Sequence, residues 1–428
     1  MTSSAAELRT ARWVAVIFLL VVLLQRFAVP GVPNLALLVP AIVIWGIAAL
    51  ARGVAVIDGP RLTWWFAAAT VTSIVMIIQD CVVPGAEISI TAWGLVMAVW
   101  LPFTLRLVER SAPAYLAMLR YVSVIATLLA VGTIAMVATQ VAGVAYRDWF
   151  AALVPETLQL GGFVLTYPLS FGSSILKGTA WIGLEPSMVS AQLGIGLLAA
   201  LFVKARWWVV VVLILGLVAT ASGSGIVIVM VGIVVMLFHR CRQLLLRYVV
   251  LGVITAGLST LTPFGALLLD RSTEFQSSGS SASLRAFEPY SVLIPTWVEH
   301  FSGVLFGYGP GSSQRIVSDT NVLGLLVPSP AKVFFEYGLI AGLVLAAFLL
   351  GCYWGGPSRS MGLSLLVSLW LLQPGVTTMV IVAPLLAMVT LWSPRTGPPI
   401  ESLLPVTDSA DNGRRPRSAP TANTVFAS

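Results

Sequence analysis

Long apolar runs separated by short polar stretches dominate the chain. A transmembrane helix needs about 20 predominantly apolar residues to cross the hydrocarbon core of a bilayer. On this criterion the pattern predicts an all-α fold, a polytopic integral membrane protein with about 12 transmembrane helices. The predicted spans are residues 13–24, 35–50, 62–78, 88–105, 121–144, 186–203, 207–220, 225–238, 248–268, 333–353, 361–372 and 376–392.

The composition excludes several other classes of protein. Of the 428 residues, 58% are hydrophobic and 10% are charged, and the mean hydropathy is +0.96. A soluble domain carries about 25% charged residues, so a soluble enzyme is excluded. A disordered chain is excluded because it needs low hydrophobicity and high net charge. The three cysteines are scattered, which excludes a disulfide scaffold.

The distribution of basic residues predicts the orientation in the membrane. With the amino terminus inside and alternating spans, 17 of the 24 Lys and Arg residues fall in internal segments. The positive-inside rule explains this asymmetry and predicts that both termini are cytoplasmic. It also explains the net charge of +7, so we expect no nucleic-acid partner.

Two longer polar segments are predicted on the outside, residues 145–185 and residues 269–332. The second is the large external loop between helices 9 and 10, and it contains a predicted helical stretch near residues 283–300 that Pro289 and Pro295 interrupt. We treat residues 1–392 as one polytopic transmembrane domain that includes this loop. Residues 393–428 are rich in Pro, Ser and Arg and are predicted to be a disordered cytoplasmic tail.

The charges outside the positive-inside pattern place any chemistry at the outer membrane surface. Sugar nucleotides and ATP are absent there, so an activated, lipid-linked substrate would have to supply the energy. The chain has no G-x-x-x-x-G-K-[ST] motif and only two histidines, predicted on opposite sides. We therefore expect neither a metal nor a cofactor. Few ionisable residues fall within the spans, which argues against an ion-coupled symporter but not against a lipid flippase.

Several short motifs follow one another in a characteristic order. Arg285 lies in the large loop, a G-Y-G-P-G turn occupies residues 307–311, and E-Y-G at residues 336–338 begins the tenth span. Earlier, E-P-S at residues 185–187 begins the sixth span, and S-G-S-G at residues 222–225 separates the seventh and eighth. With the number of spans and the large loop, this order resembles the O-antigen ligase and Wzy-type polysaccharide polymerase superfamily.

The chain departs from the ligase branch of that family at two points. The ligase branch has a His shortly before the E-x-G element, whereas residues 326–330 here read L-V-P-S-P. Gly223 stands where the family's S-R element has an Arg. Both departures favour a polymerase over a ligase within the resemblance.

The resemblance implies an inverting, metal-independent membrane glycosyltransferase. It would polymerise or ligate lipid-pyrophosphate-linked oligosaccharide on the outer face of the bacterial cytoplasmic (inner) membrane. Its partners would be a polyprenyl-pyrophosphate-linked glycan, a glycan acceptor and membrane lipids, with a chain-length regulator or a flippase as a further partner. The alternative is a flippase or transporter of lipid-linked oligosaccharide or polysaccharide. A polyprenyl-phosphate sugar transferase is disfavoured, because the first external loop, residues 25–34, has no Asp or Glu.

The resemblance and the external charges select the candidate site residues. Arg285 and Glu185 are the candidate catalytic residues, Arg285 for the pyrophosphate and Glu185 for the acceptor hydroxyl. The candidate substrate-binding residues are Lys177, Arg271, Arg315, Gly307, Gly309, Gly311 and Glu336.

Each candidate has a purely structural alternative that the sequence leaves open. Arg285 could be a solvated loop charge, and Glu185 could only offset the positive end of a helix dipole. Glu336 could pair with Lys332 at i, i+4. The glycines of residues 307–311 could form an anion-binding nest of amides or simply a turn.

Overall fold

The structure is a computed structural model that describes residues 4–163, 165–169, 173–238, 287–320, 325–394 and 398–403. The described chain is mostly helical, with two short antiparallel strand pairs, β1 (Ala28–Val29) with β2 (Val32–Ala36) and β3 (Ala55–Ile57) with β4 (Leu105–Leu107). The α-helices are α1 Ala5–Leu24, α2 Leu38–Ala51, α3 Gly59–Val82, α4 Ile90–Trp100, α5 Ala112–Val141, α6 Trp149–Leu153, α7 Pro186–Phe202, α8 Trp207–Thr220, α9 Gly223–Phe238, α10 Glu288–Glu299, α11 Phe301–Phe306, α12 Ser312–Asp319, α13 Ser329–Gly351, α14 Arg359–Leu365, α15 Met379–Met388 and α16 Ile400–Leu403. Short 3₁₀ turns follow α4, α6 and α15, and a π-helical turn, Leu366–Leu371, continues α14.

Helices overlap every predicted span except residues 248–268, which lie outside the described residues. Three of them, α3, α5 and α13, are long and apolar enough to cross a membrane by length and composition. The other apolar helices at predicted spans are shorter, or, in α1, carry three charged residues in the first half.

Polar side chains fix the starts of several of these apolar helices. Asp58 accepts a hydrogen bond from a backbone amide in the first turn of α3, and Ser89 and Ser111 do the same for α4 and α5. Ser4 and Glu7 form a reciprocal capping box at the start of α1. Such caps satisfy amides that have no partner within the helix, so they set where each apolar run becomes helical.

Helix α7 is the central helix of the described bundle, because all of its residues are buried. It packs against α5, α8 and α9. Gly194 lies against the backbone of Gly225, and Gly196 lies against Ala126, where added side-chain atoms would collide. Small residues at such crossings let helix backbones approach closely, which is the usual way helices pack inside membranes. Glu185 stands at the amino-terminal end of this central helix.

The segment predicted as a disordered tail contains a short ordered element. Glu401, in α16, accepts hydrogen bonds from the Ser358 hydroxyl at 2.8 Å and from the Ser360 amide at 2.9 Å. Its carboxylate is buried at the start of α14. Residues 400–403 are thus held as a helix against α14, and residues 404–428 lie outside the described residues.

Candidate functional site

Most of the predicted site residues that the structure describes belong to one of two groups. One group, here called the Glu336 cluster, consists of Gln79, Ser313, Lys332, Glu336 and the turn at 307–311. The other, here called the Arg26 cluster, consists of Gln25, Arg26, Asp148, Trp181 and Glu185. Two candidates, Arg271 and Arg285, lie outside the described residues.

A buried ion pair forms the centre of the Glu336 cluster. Lys332 Nζ lies 2.6 Å from Glu336 Oε1, and the Ser313 hydroxyl donates to the same oxygen at 2.5 Å. The exposed fractions of the Lys332 and Glu336 side chains are 7% and 1%. The i, i+4 pairing expected as the structural alternative is therefore present. Breaking such a pair would leave one buried charge without compensation, which is costly.

Helix α13 breaks just after this pair. Gly338 has φ 63° and ψ −172°, outside the helical region, although helix continues on both sides. Gly307, at φ 82°, packs against the break. A Cβ atom on Gly338 would collide with the carbonyl oxygen of Leu305, and one on Gly307 would collide with the amide of Gly338. Both positions therefore require glycine, for close approach as well as for positive φ.

The turn at 307–311 closes this break by backbone hydrogen bonds. The amide of Tyr308 donates to Phe335 O, and the amide of Gly309 donates to Glu336 O, both at 3.0 Å. The turn thus supplies hydrogen-bond donors to two carbonyls of α13 just before the break. The two amides are engaged in holding α13, which is the structural role expected of a turn.

Gln79 ties helix α3 to the same point, and sequence reasoning missed it. Its Nε2 donates to Glu336 O at 2.8 Å and also to Phe306 O. The side chain is completely buried, while its Oε1 has no hydrogen-bond partner among the described residues. A lone glutamine directly after the predicted span 62–78 was the only sequence signal.

The connection between α3 and α4 forms the outer edge of the cluster. The amide of Glu87 donates to Tyr308 O, and the amide of Ser89 donates to Pro310 O, both at 3.1 Å. The guanidinium of Arg315 forms an ion pair with the Glu87 carboxylate, with exposed side-chain fractions of 40% and 62%. Arg315 is thus a water-facing cation at the edge of this cluster.

Arg26 is the second residue that sequence reasoning missed. Its guanidinium binds the Asp148 carboxylate through two bonds of 2.9 and 2.6 Å, and Nη1 also donates to Trp181 O at 2.9 Å. The guanidinium lies 4.3 Å from the ring centroid of Phe150. Only 3% of the side chain is exposed. Its sequence position, in the predicted first external loop, gave no indication of these partners.

The environment of Asp148 favours its ionised form. Partial burial alone would raise the pKa of the carboxyl, but the hydrogen bonds from Arg26 and from the Ala151 amide outweigh it. The pKa of Asp148 therefore lies below its ordinary value. The Arg26–Asp148 pair is charged at neutral pH.

Glu185 lies next to these contacts. Its carboxylate is 3% exposed and accepts a hydrogen bond from the Ser187 hydroxyl at 3.1 Å. The preceding amide, of Leu184, donates to Gln25 Oε1 at 3.2 Å. Glu185 occupies the N-cap position of α7 without a side-chain capping bond. The carboxylate therefore lies near the positive end of the helix dipole. The hydrogen bond from Ser187 helps to fix its position.

Lys177 lies earlier on the segment of residues 145–185. Its amide donates to Tyr167 O at 2.9 Å, and its Nζ lies 5.2 Å from the centroid of the Tyr167 ring. This distance is compatible with a cation–π contact. The side chain therefore packs on an aromatic face within the segment that leads to Glu185.

The chain matches none of the protein-family models, and no curated protein matches it. Among the described residues, no group of three or more His, Cys, Asp or Glu side chains could hold a metal ion. A functional assignment therefore depends on the two clusters, on the predicted external segments and on the motif order.

Proposed function

We propose that this protein is a membrane glycosyltransferase of the O-antigen ligase and Wzy-type polymerase kind. It joins lipid-pyrophosphate-linked oligosaccharide to a glycan acceptor on the outer face of the bacterial cytoplasmic membrane. In this proposal about 12 helices cross the membrane, both termini are cytoplasmic, and residues 269–332 form the large external loop.

One observation carries the proposal. The turn at 307–311 and the E-Y-G segment at residues 336–338 in α13, two of the motif segments behind the resemblance, are joined directly by a backbone hydrogen bond from the Gly309 amide to Glu336 O. The same unit carries Arg315, a water-facing cation of the kind that binds phosphate. Motifs that match by chance along a chain have no reason to meet in this way.

The long-range contacts support the alternating topology of the proposal. Arg26 binds Asp148, and both belong to predicted external segments. Arg61 donates to the carbonyls of Thr390 and Ser393, at or near predicted internal ends. Each contact thus joins segments that the positive-inside pattern assigns to one side.

The proposed reaction is a single inverting displacement. An acceptor hydroxyl attacks the anomeric carbon, the bond from that carbon to the pyrophosphate oxygen breaks, and lipid pyrophosphate leaves. Glu185 accepts the hydroxyl proton. Arg285, with Arg271, Arg315 and Lys177, stabilises the negative charge that develops on the leaving group, a term that is often the largest in catalysis.

Arg315 and Lys332 have different roles in this scheme. Arg315 exchanges Glu87 for a phosphate at little cost, because exposed ion pairs are worth about 0–1 kcal/mol. Lys332 stays with Glu336, because breaking a buried pair costs about 3–5 kcal/mol. Glu336 then holds the turn and its glycines in place beside the substrate.

A reconstituted assay tests the proposal. The full chain in lipid vesicles receives a polyprenyl-pyrophosphate-linked oligosaccharide, and gel electrophoresis follows the length of the glycan. We expect a ladder of lengthened products that Glu185→Gln reduces about 100-fold, the size of effect that loss of a general base produces. The matched control is Glu156→Gln, an exposed acid on the same external segment, which should match wild type.

The same vesicles separate the proposal from its alternative. Movement of the lipid-linked oligosaccharide between leaflets, without any lengthening of the glycan, would support a flippase and contradict the transferase. Lengthening without movement would support the transferase.

A further inference from the structure

We propose that Gln25 and Arg26, at the end of α1, are positioning residues that fix Glu185 for the reaction. This inference rests on the proposed function, because it takes Glu185 as the group that contacts the acceptor. Neither residue belongs to a motif of the resemblance.

The segment before Glu185 has an unusual backbone. Ala180 and Trp181 are consecutive non-glycine residues at φ 55° and 60°, in the left-handed region. Non-glycine residues in this region are strained and persist only where surrounding contacts enforce the conformation. The Gly183 amide donates to Thr179 O at 2.8 Å, which closes the segment into a tight turn. The conformation of this turn sets where the chain enters α7, and therefore where Glu185 lies.

The end of α1 supplies contacts that enforce this turn. Arg26 Nη1 donates to Trp181 O at 2.9 Å, on one of the two strained residues. Gln25 Oε1 accepts from the Leu184 amide at 3.2 Å, one residue before Glu185. The two adjacent side chains thus hold both the middle and the end of the turn.

An arginine side chain at position 26 suits this role better than a lysine side chain would. The guanidinium fork binds both oxygens of Asp148 and still has a donor directed at Trp181 O. Its flat face packs on the Phe150 ring. A lysine ammonium is a compact point charge without the planar fork, so it cannot reproduce this arrangement. The Arg26→Lys substitution therefore keeps the charge while it loosens the turn.

The first test compares Arg26→Lys with Arg147→Lys in the reconstituted assay. Misplacement of a catalytic group by about 1 Å can cost about 100-fold in rate. We expect Arg26→Lys to lower kcat by about 10- to 100-fold, with KM for the lipid-linked donor within about twofold. Arg147 is exposed on the same external segment, so Arg147→Lys should leave both parameters unchanged. Unchanged kcat in a folded Arg26→Lys protein would overturn the proposal.

A second variant tests Gln25. Gln25→Leu removes the acceptor for the Leu184 amide. We expect a lower kcat for Gln25→Leu, with KM for the lipid-linked donor within about twofold of wild type. Unchanged kcat, or a higher KM without a lower kcat, would contradict a positioning role.

Hydrogen exchange across residues 178–190 tests the same contacts without substrate. We expect faster exchange in Arg26→Lys than in wild type or in Arg147→Lys, and unchanged exchange would overturn the proposal. Faster exchange in Arg26→Lys alongside an inactive wild type would support the positioning contacts and count against the proposed function. If Arg26→Lys does not fold, Asp148→Asn loosens the same guanidinium while it keeps one acceptor oxygen, and the same outcomes apply.

Discussion

The Glu336 cluster and the Arg26 cluster each bury a cation against a carboxylate, yet they are built over very different ranges of the chain. Lys332 and Glu336 are four residues apart on one helix, whereas Arg26 and Asp148 are 122 residues apart. The first pair can form as soon as α13 is helical. The second pair exists only when α1 and the segment after α5 have packed together. One cluster therefore depends on a contact within a single helix, and the other depends on contacts between distant segments of the chain.

The two clusters also differ in their access to water. The Glu336 side chain is 1% exposed, but the Asp148 side chain is 20% exposed. Water can compensate a charge left behind on Asp148 in part, and it cannot do so for Glu336. We therefore expect substitutions in the Glu336 cluster to affect stability most, and those in the Arg26 cluster to affect stability less and pH response more.

The largest expected effect on stability comes from removing the cation of the Glu336 cluster. Lys332→Met leaves the Glu336 carboxylate buried beside the Ser313 hydroxyl alone, so it should destabilise the protein by about 3–5 kcal/mol. Denaturation of the purified protein in detergent, followed by tryptophan fluorescence, measures this loss.

Two further variants show whether burial causes that loss. Lys204→Met removes an exposed lysine and should have little effect. Lys332→Met combined with Glu336→Leu replaces the pair by apolar side chains and should recover most of the stability. A double variant as unstable as Lys332→Met would show that the unpaired carboxylate is not the cause.

The next largest effect is expected at the break in α13. Gly338→Ala forces a side chain into positive φ and into the carbonyl of Leu305, so we expect a loss of about 2–3 kcal/mol. Gly351→Ala is the matched control, because Gly351 ends the same helix with open space around it. The same denaturation experiment compares the two variants. Equal stability would mean that the break is not held as tightly as these contacts indicate.

The sequence predicted the local part of this organisation and missed the long-range part. Apolar runs located the helices, since apolar length needs no knowledge of packing partners. The spacing of Lys332 and Glu336 predicted their pairing for the same reason. Gln79 and Arg26 were missed because their partners lie 257 and 122 residues away in the chain. Nothing in the neighbouring sequence specifies those contacts.

The break at Gly338 shows a second limit of sequence reasoning. The apolar pattern runs through it without interruption, and an isolated glycine is tolerated within a helix. At the break, the turn at 307–311 packs against α13 and its amides donate to the carbonyls of Phe335 and Glu336. Those contacts are a property of the folded chain.

A smaller effect is expected from the pH dependence of the Arg26 cluster. The pKa of Asp148 is lowered in the folded protein, so the folded state binds fewer protons there than the unfolded state does. The Arg26–Asp148 pair therefore stabilises the protein fully above the ordinary carboxyl pKa. This contribution is lost as the pH falls through the lower, folded-state pKa.

Comparison of wild type with Asp148→Asn across pH isolates that contribution. We expect wild type to be the more stable protein at pH 7 and the difference to shrink as the pH falls below about 4. Denaturation curves at a series of pH values provide the measurement. A difference that does not change between pH 7 and pH 3 would contradict a charged pair at Asp148.

The smallest effect on stability is expected at Arg315, because its ion pair is exposed. A larger effect is expected on binding of the donor. Arg315→Gln breaks an exposed ion pair with Glu87 and should change the free energy of unfolding by less than about 1 kcal/mol. If Arg315 binds the donor pyrophosphate, the same variant should raise KM for the lipid-linked donor about tenfold, since a charge-assisted contact to phosphate is lost.

Glu87→Gln provides the opposing variant. It frees the guanidinium from its carboxylate partner, so it should leave KM unchanged or lower it. Kinetics of both variants in reconstituted vesicles decide the matter: an increase in KM for Glu87→Gln as large as that for Arg315→Gln would mean that the ion pair itself supports the site and that Arg315 does not bind the donor.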